Sequence, residues 1–292
     1  MSAPAIGRPL PTAAGRRARR RPFTLTVYRW ELRKLVSQVR SYLGPGLLTL
    51  LIVVFVVFES LDRQAGHRGN VFAQEITQSG LATPVLMLLF MSGFFLPVVA
   101  SLVAGDIVAN EDGNGTLKTI LTRSVDRGQV FAAKALAAFT YAAVVVLLTG
   151  AAATLAGLGS WGFHSITTFS GTVVSAPEAL LLVLGINLAY LIPLFAVVSI
   201  GLLLSTATRN SAAAVVATIG LVILLVIVAH IPGLESIQPY LLTEQLQNWQ
   251  GLLRTPTDWA PIAHSAWVCA LYGVPALLAG YLVLLRRDVA GG

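Results

Sequence analysis

DIVANEDGNGTLKTILTRSVDRGQVFAAK, Asp106 to Lys134, holds eight charged residues: Asp106, Glu111, Asp112, Lys118, Arg123, Asp126, Arg127 and Lys134. The 30 residues before it, Ile76 to Gly105, carry none, and neither do the 43 after it, Ala135 to Pro177. Uncharged runs of this length decide the fold class. About 20 residues at a rise of about 1.5 Å each cross the hydrocarbon core of a bilayer, so an apolar run of 18 or more marks a membrane helix. The whole chain agrees: 55% of its 292 residues are hydrophobic and only 11% are charged, against about 25% in soluble domains. The expectation is an all-α membrane protein.

The net charge of +7 does not signal nucleic acid. The basic residues sit beside apolar segments, where membrane lipid is the partner, and not on a soluble domain. Cys269 is the one cysteine, so no internal disulfide forms, and its apolar surroundings make it a small packing residue. GRRARRRPF near the N-terminus resembles a twin-arginine export signal. However, Arg29, Glu31, Arg33, Lys34 and Arg40 interrupt the next stretch of chain, and no short apolar core with a small-residue cleavage site appears. Residues 1–22 are therefore expected to be a disordered basic cytoplasmic tail.

Residues 23–43 come next. Tyr28, Leu32, Leu35, Val36, Val39 and Leu43 recur at helical spacing, with Arg29, Arg33, Lys34, Ser37 and Arg40 largely on the other side. This predicts an amphipathic helix lying in the membrane interface. Gly44-Pro45-Gly46 is expected to break it. A transmembrane domain over 43–286 then holds six spans: 43–58, 81–104 with Pro97 as a kink, 132–156, 180–205 with Pro193 inside, 212–231, and 266–285 with Pro275 inside. Ala135, Ala138 and Ala142 in the third span permit close helix packing, although an Ala-rich composition explains them equally. Residues 287–292 are a second cytoplasmic tail.

Lysine and arginine set the orientation. With the N-terminus inside, 17 of them fall on the cytoplasmic side and three (Arg63, Arg68 and Arg254) outside. This supports an N-in, C-in arrangement and puts loop 106–131 in the cytoplasm, as in a bacterial inner-membrane protein. On the outer side, segment 232–263 contains IQPYLLTEQLQNWQGLL. Tyr240, Leu241, Leu246, Trp249, Leu252 and Leu253 there suggest short amphipathic helices, either a lid over a pathway or an interfacial helix anchored by its Trp.

Several chemistries find no support. A nucleotide-binding loop needs GxxxxGK[ST], yet none of Lys34, Lys118 and Lys134 follows a glycine. There is no HExxH and no GxSxG, so enzymatic activity is not expected. An ion-coupled carrier places charge within its spans. Here none lies mid-span, and Lys134 is expected to snorkel from the cytoplasmic end of its helix. Asn187 is expected to hydrogen-bond between helices, and His230 to lie near the outer boundary. No ring of charge marks a channel.

Within the opening stretch, Glu111 to Gly115 reads as a turn. Leu117, Ile120 and Leu121 then form an apolar stripe at i, i+3, i+4. Ser124 or Asp126 is placed to cap the next helix near Arg127. The acids Asp106, Glu111 and Asp112 do nothing for topology, which favours a docking helix for a cytoplasmic partner over a plain interfacial segment. The pattern resembles D-x-x-A-x-E-x-x-x-G-T-L-K-x-x-L-x-x-x-x-x-R-x-x-x-x-x-x-K, the loop between the second and third spans in permease subunits of type-2 ATP-binding-cassette (ABC) transporters. Asp106, Ala109, Glu111, Gly115, Thr116, Leu117, Lys118, Leu121, Arg127 and Lys134 match it. Arg123 replaces a residue that many relatives have apolar or small, and Ser124-Val125-Asp126-Arg127 lacks the proline of the family's turn.

The resemblance implies an assembly of two permease subunits, identical or homologous, above two ABC ATPase subunits. ATP and magnesium would be bound by the ATPases, with no cofactor in this chain. The coupling residues it implies are Asp106, Glu111, Gly115, Thr116, Leu117, Lys118, Leu121, Arg123 and Arg127. The family and the uncharged spans together imply export of an amphipathic or hydrophobic substrate. The alternatives are a non-transport subunit bound to an ATPase, or a carrier or channel working alone.

Overall fold

The computed structural model describes residues 24–64, 78–115 and 126–286. Thr116, Leu117, Lys118, Leu121 and Arg123, and both tails, lie outside the described residues. The helices are α1 (Thr24–Ser37), α2 (Arg40–Gln64), α3 (Ala82–Ser92), α4 (Phe95–Asp106), α5 (Ala109–Gly113), α6 (Arg127–Trp161), α7 (Ala176–Thr208), α8 (Ser211–Ala229), α9 (Leu242–Gln245) and α10 (Ala260–Arg286). A two-residue hairpin, Ile166–Thr167 with Val173–Val174, joins α6 to α7. Five helices (α2, α6, α7, α8 and α10) are long and apolar enough to cross a membrane. The bent pair α3–α4 makes a sixth if it counts as one crossing.

The ends of the helices gather at two poles. At one pole Glu31 (α1), Glu111 (α5) and Lys134 (α6) form one linked set, and Arg40 (α2), Asp106 (α4) and Ser211 (α8) form another. There Arg127, at the start of α6, donates from Nη1 to the carbonyl of Leu285 near the end of α10, at 2.8 Å. The opposite pole joins the start of α3 to the end of α6: the Gly80 N–H donates to the Gly162 carbonyl at 3.0 Å. Here the two backbones touch. A Cβ on Gly157 would stand 2.2 Å from the Gly80 carbonyl oxygen, closer than any side chain permits.

Prolines shape two of the crossings. The expected break at Gly44-Pro45-Gly46 falls instead at Gln38-Val39, and α2 runs straight through Pro45. Proline removes the N–H that would bond four residues back, which orphans the Ser41 carbonyl. The Tyr141 hydroxyl of α6 donates to that oxygen at 3.1 Å, in place of the lost N–H. In the second crossing the kink expected from Pro97 is real, with α3 and α4 at 60°. It is centred on Gly93-Phe94, because the proline ring excludes the carbonyl of Gly93, four residues back. The break exposes the Ser92 carbonyl, and the Tyr190 hydroxyl of α7 donates to it at 2.8 Å.

The core lies between α3, α4, α6 and α7. Ala135, Ala138 and Ala142 are buried, and the buried small residues continue through Ala153 and Gly157, so close packing rather than composition explains them. Asn187 does not bridge helices. Its Nδ2 donates to Val183 of its own helix at 2.7 Å, and its side chain packs where a Cβ on Gly150 would stand.

Segment 232–263 is exposed at its two ends, Tyr240 and Trp259 included, but not in its middle. Leu246, Trp249, Leu252 and Leu253 are buried in the core. Gln247 donates from Nε2 to the Ser92 hydroxyl at 3.0 Å. Ser92 lies ten residues below the start of α3, about 15 Å at the helical rise. The segment therefore dips into the bundle, and Trp249, 2% exposed, is a core residue and not an interfacial anchor.

Candidate functional site

The charged pole is the place where polar chemistry is concentrated. Its centre is Lys134, whose side chain is fully buried. Instead of snorkelling, its ammonium meets three oxygens: Glu31 Oε1 at 3.0 Å, Glu111 Oε2 at 2.6 Å and the Ile107 carbonyl at 3.0 Å. Of its three donors, one makes a hydrogen bond to the Ile107 carbonyl, and both carboxylates lie within ion-pair distance. Lys34 of α1 pairs with the other oxygen of Glu111. Two carboxylates and two ammonium groups thus balance in one cluster that ties α1, α5 and α6 together. Removing charges from water costs several kcal/mol each, and only full pairing offsets that.

Asp106 forms a second node. Its carboxylate accepts from the Ser211 hydroxyl and meets Arg40 Nη2 at 2.5 Å. Arg40 opens α2 and Ser211 opens α8, so one carboxylate ties the starts of two helices together through their side chains. The neighbouring turn between α7 and α8 holds Arg209 in the left-handed region at φ 56°, with its Nε 3.8 Å from Asp112. Asn210 caps α8 by accepting from Ala213 N–H at 3.1 Å.

Of the sequence-based candidates, Asp106 and Glu111 are buried and turned towards the chain's own cations. Arg127 is engaged with Leu285. The turn expected over Glu111–Gly115 is narrower, since Ala109–Gly113 forms one helical turn and only Asn114-Gly115 are in a turn. Gly115 has φ +70°, which favours glycine. Asp126 does occupy the N-cap of α6, but through its backbone, with no capping bond from its side chain. The motif does not mark Glu31 and Arg40 as partners of these residues. The available signal is spacing: Val27, Glu31 and Leu35 share one face of α1, and all three are buried. A lone acid on the buried face of a basic helix calls for an internal cation.

An all-helical bundle with apolar flanks, a polar pole and a proline-bent crossing defines a multi-pass membrane protein. A family model described as protein of unknown function (DUF2705) matches residues 47–290, and the chain belongs to that family. No curated protein matches it.

Proposed function

We propose that the chain is the permease subunit of an ABC transporter, driven by a separate ATPase that docks on the loop between α5 and α6. The sequence motif from Asp106 to Lys134 suggests this reading. The observation that carries it is that both ends of that loop are fastened to the transmembrane helices. Glu111 before the loop is held by Lys134 and Lys34, and Arg127 after it by Leu285. A push on the loop is therefore transmitted to α1, α6 and α10 together.

In this reading the bent pair counts as one crossing. Six crossings then bring the N- and C-terminal ends to the same charged pole, in the cytoplasm of a bacterial inner membrane. Arg29, Arg33, Lys34, Arg40, Arg127, Lys134, Arg209 and Arg286 lie at this pole, as the excess of positive charge on the cytoplasmic side requires. The described residues of the other pole include Glu178, Glu235, Glu244 and Asp258 against Arg254. α1 lies along the interface with Leu25, Trp30 and Val36 exposed towards lipid. The substrate is amphipathic or hydrophobic and is exported, and a second permease, identical or homologous, completes the pathway.

The test is co-purification with a candidate ABC ATPase subunit, followed by transport and ATP hydrolysis. Glu111 is a poor place for charge reversal, because a lysine there would face the buried Lys134 and the half-exposed Lys34. Lys118→Glu and Arg123→Glu are the informative variants. A complex with equal numbers of both chains, weakened or uncoupled in these variants at unchanged thermal stability, supports the proposal. Failure of any ATPase to bind overturns it.

A further inference from the structure

We infer that the charged pole contains a binding site for the headgroup of a zwitterionic aminophospholipid. A cleft of about 290 Å³ opens between α1, the start of α2 and the end of α4. Glu31, Lys34 and Arg40 line it together with Leu35, Leu43 and Leu102. Its chemistry is divided. Leu43 and Leu102 are exposed on the bundle's apolar flank, so the cleft opens sideways to the hydrocarbon edge.

Its two cations are half in solvent, with side chains 39% (Lys34) and 45% (Arg40) exposed. Each keeps donors to spare. Lys34 uses one of its three on Glu111. Arg40 uses Nε and Nη2 on Gln38 and Asp106, which leaves Nη1. A phosphate takes such donors.

The third feature is an orphan. Glu31 is 7% exposed; its Oε1 meets Lys134, but Oε2 has no hydrogen-bond partner among the described residues. A buried carboxylate oxygen without a donor is costly. A primary ammonium supplies up to three donors and a positive charge. Phosphate on the exposed cations, ammonium towards Glu31 and acyl chains along Leu35, Leu43 and Leu102 describe a phosphatidylethanolamine. A phosphatidylglycerol has no cation for Glu31, and the choline of phosphatidylcholine has no N–H to donate. The site does not depend on the transport reading.

The full-length chain, purified in mild detergent and stripped of lipid, would be titrated by native mass spectrometry. The ligands are phosphatidylethanolamine, phosphatidylcholine and phosphatidylglycerol with matched acyl chains, and soluble glycerophosphoethanolamine. One charge-assisted hydrogen bond corresponds to about tenfold in affinity. Phosphatidylethanolamine is therefore expected to bind about tenfold more tightly than either other lipid. Arg40→Gln is expected to weaken all three lipids, and Glu31→Gln to erase the preference among them. The wild-type comparison changes only the ligand, so it stands even if Glu31→Gln fails to fold. Equal binding of the three lipids, or tighter binding of phosphatidylglycerol, overturns the site. So does a preference that survives both substitutions. Binding of glycerophosphoethanolamine as tight as that of the lipid overturns the lipid as occupant.

Discussion

The two poles of the bundle are held together by different physics. At the charged pole four helix ends and α1 meet through ions: Lys134 with Glu31 and Glu111, and Arg40 with Asp106. At the other, helices meet through missing side chains and buried apolar surface, as Gly80 lies on Gly157 and Trp249 fills the centre of segment 232–263. Ionic joints have long reach and keep alternative partners, so they can be exchanged when a neighbour moves. Close-packed joints have no second arrangement without a gap.

Substitutions can break this contrast, and the largest effect is expected at its ionic centre. Lys134→Met leaves Glu31 and Glu111 buried without their shared cation. It should cost about 3–5 kcal/mol, read as a loss of folded protein or a sharply lowered melting temperature in detergent. Adding Glu111→Gln should recover part of that loss. A melting temperature unchanged by Lys134→Met would mean that water reaches the cluster.

At the opposite pole Gly157→Leu forces the backbones of α3 and α6 apart. It should cost about 1–3 kcal/mol, the range for overpacking, measured by the same melt. Full stability in this variant would show that the pole is looser than the contact between Gly80 and Gly157 implies.

Tyr190→Phe removes the donor to the Ser92 carbonyl at the bend. Hydrogen bonds between membrane helices are worth about 0.6–1.7 kcal/mol, and a loss within that range is expected. The same variant should speed hydrogen exchange around Gly93. The smallest effect belongs to Arg254→Ala. Its contact with Asp258, at 3.4 Å, is exposed, and surface pairs contribute about 0–1 kcal/mol. A large effect there would place Arg254 in an interface.

The bend shows how far the sequence can be read. Pro97 announces a kink, because the loss of an N–H and the clash four residues back are local consequences of the ring. Pro45 carries the same local signal and produces no break. Tyr141, 96 residues further on, serves the orphaned carbonyl with its hydroxyl, and no local pattern contains it. The same division runs through the candidate site. The charge island from Asp106 to Lys134 stands out between two uncharged runs, and its acids suggest a surface turned to a partner. Their actual neighbours are Lys34, Arg40 and Ser211 on other helices.

The sequence by itself determined the class of protein, because crossing hydrocarbon demands long apolar runs and backbone bonds closed within each helix. It also determined where charge gathers. Only the tertiary structure decided that Lys134 is a buried hub, that Asp106 holds two helix starts, and that Trp249 lies inside the bundle. Pairing depends on which side chains meet in space. Charged groups buried away from water are stable only beside particular partners, and helices far apart in the chain supply them.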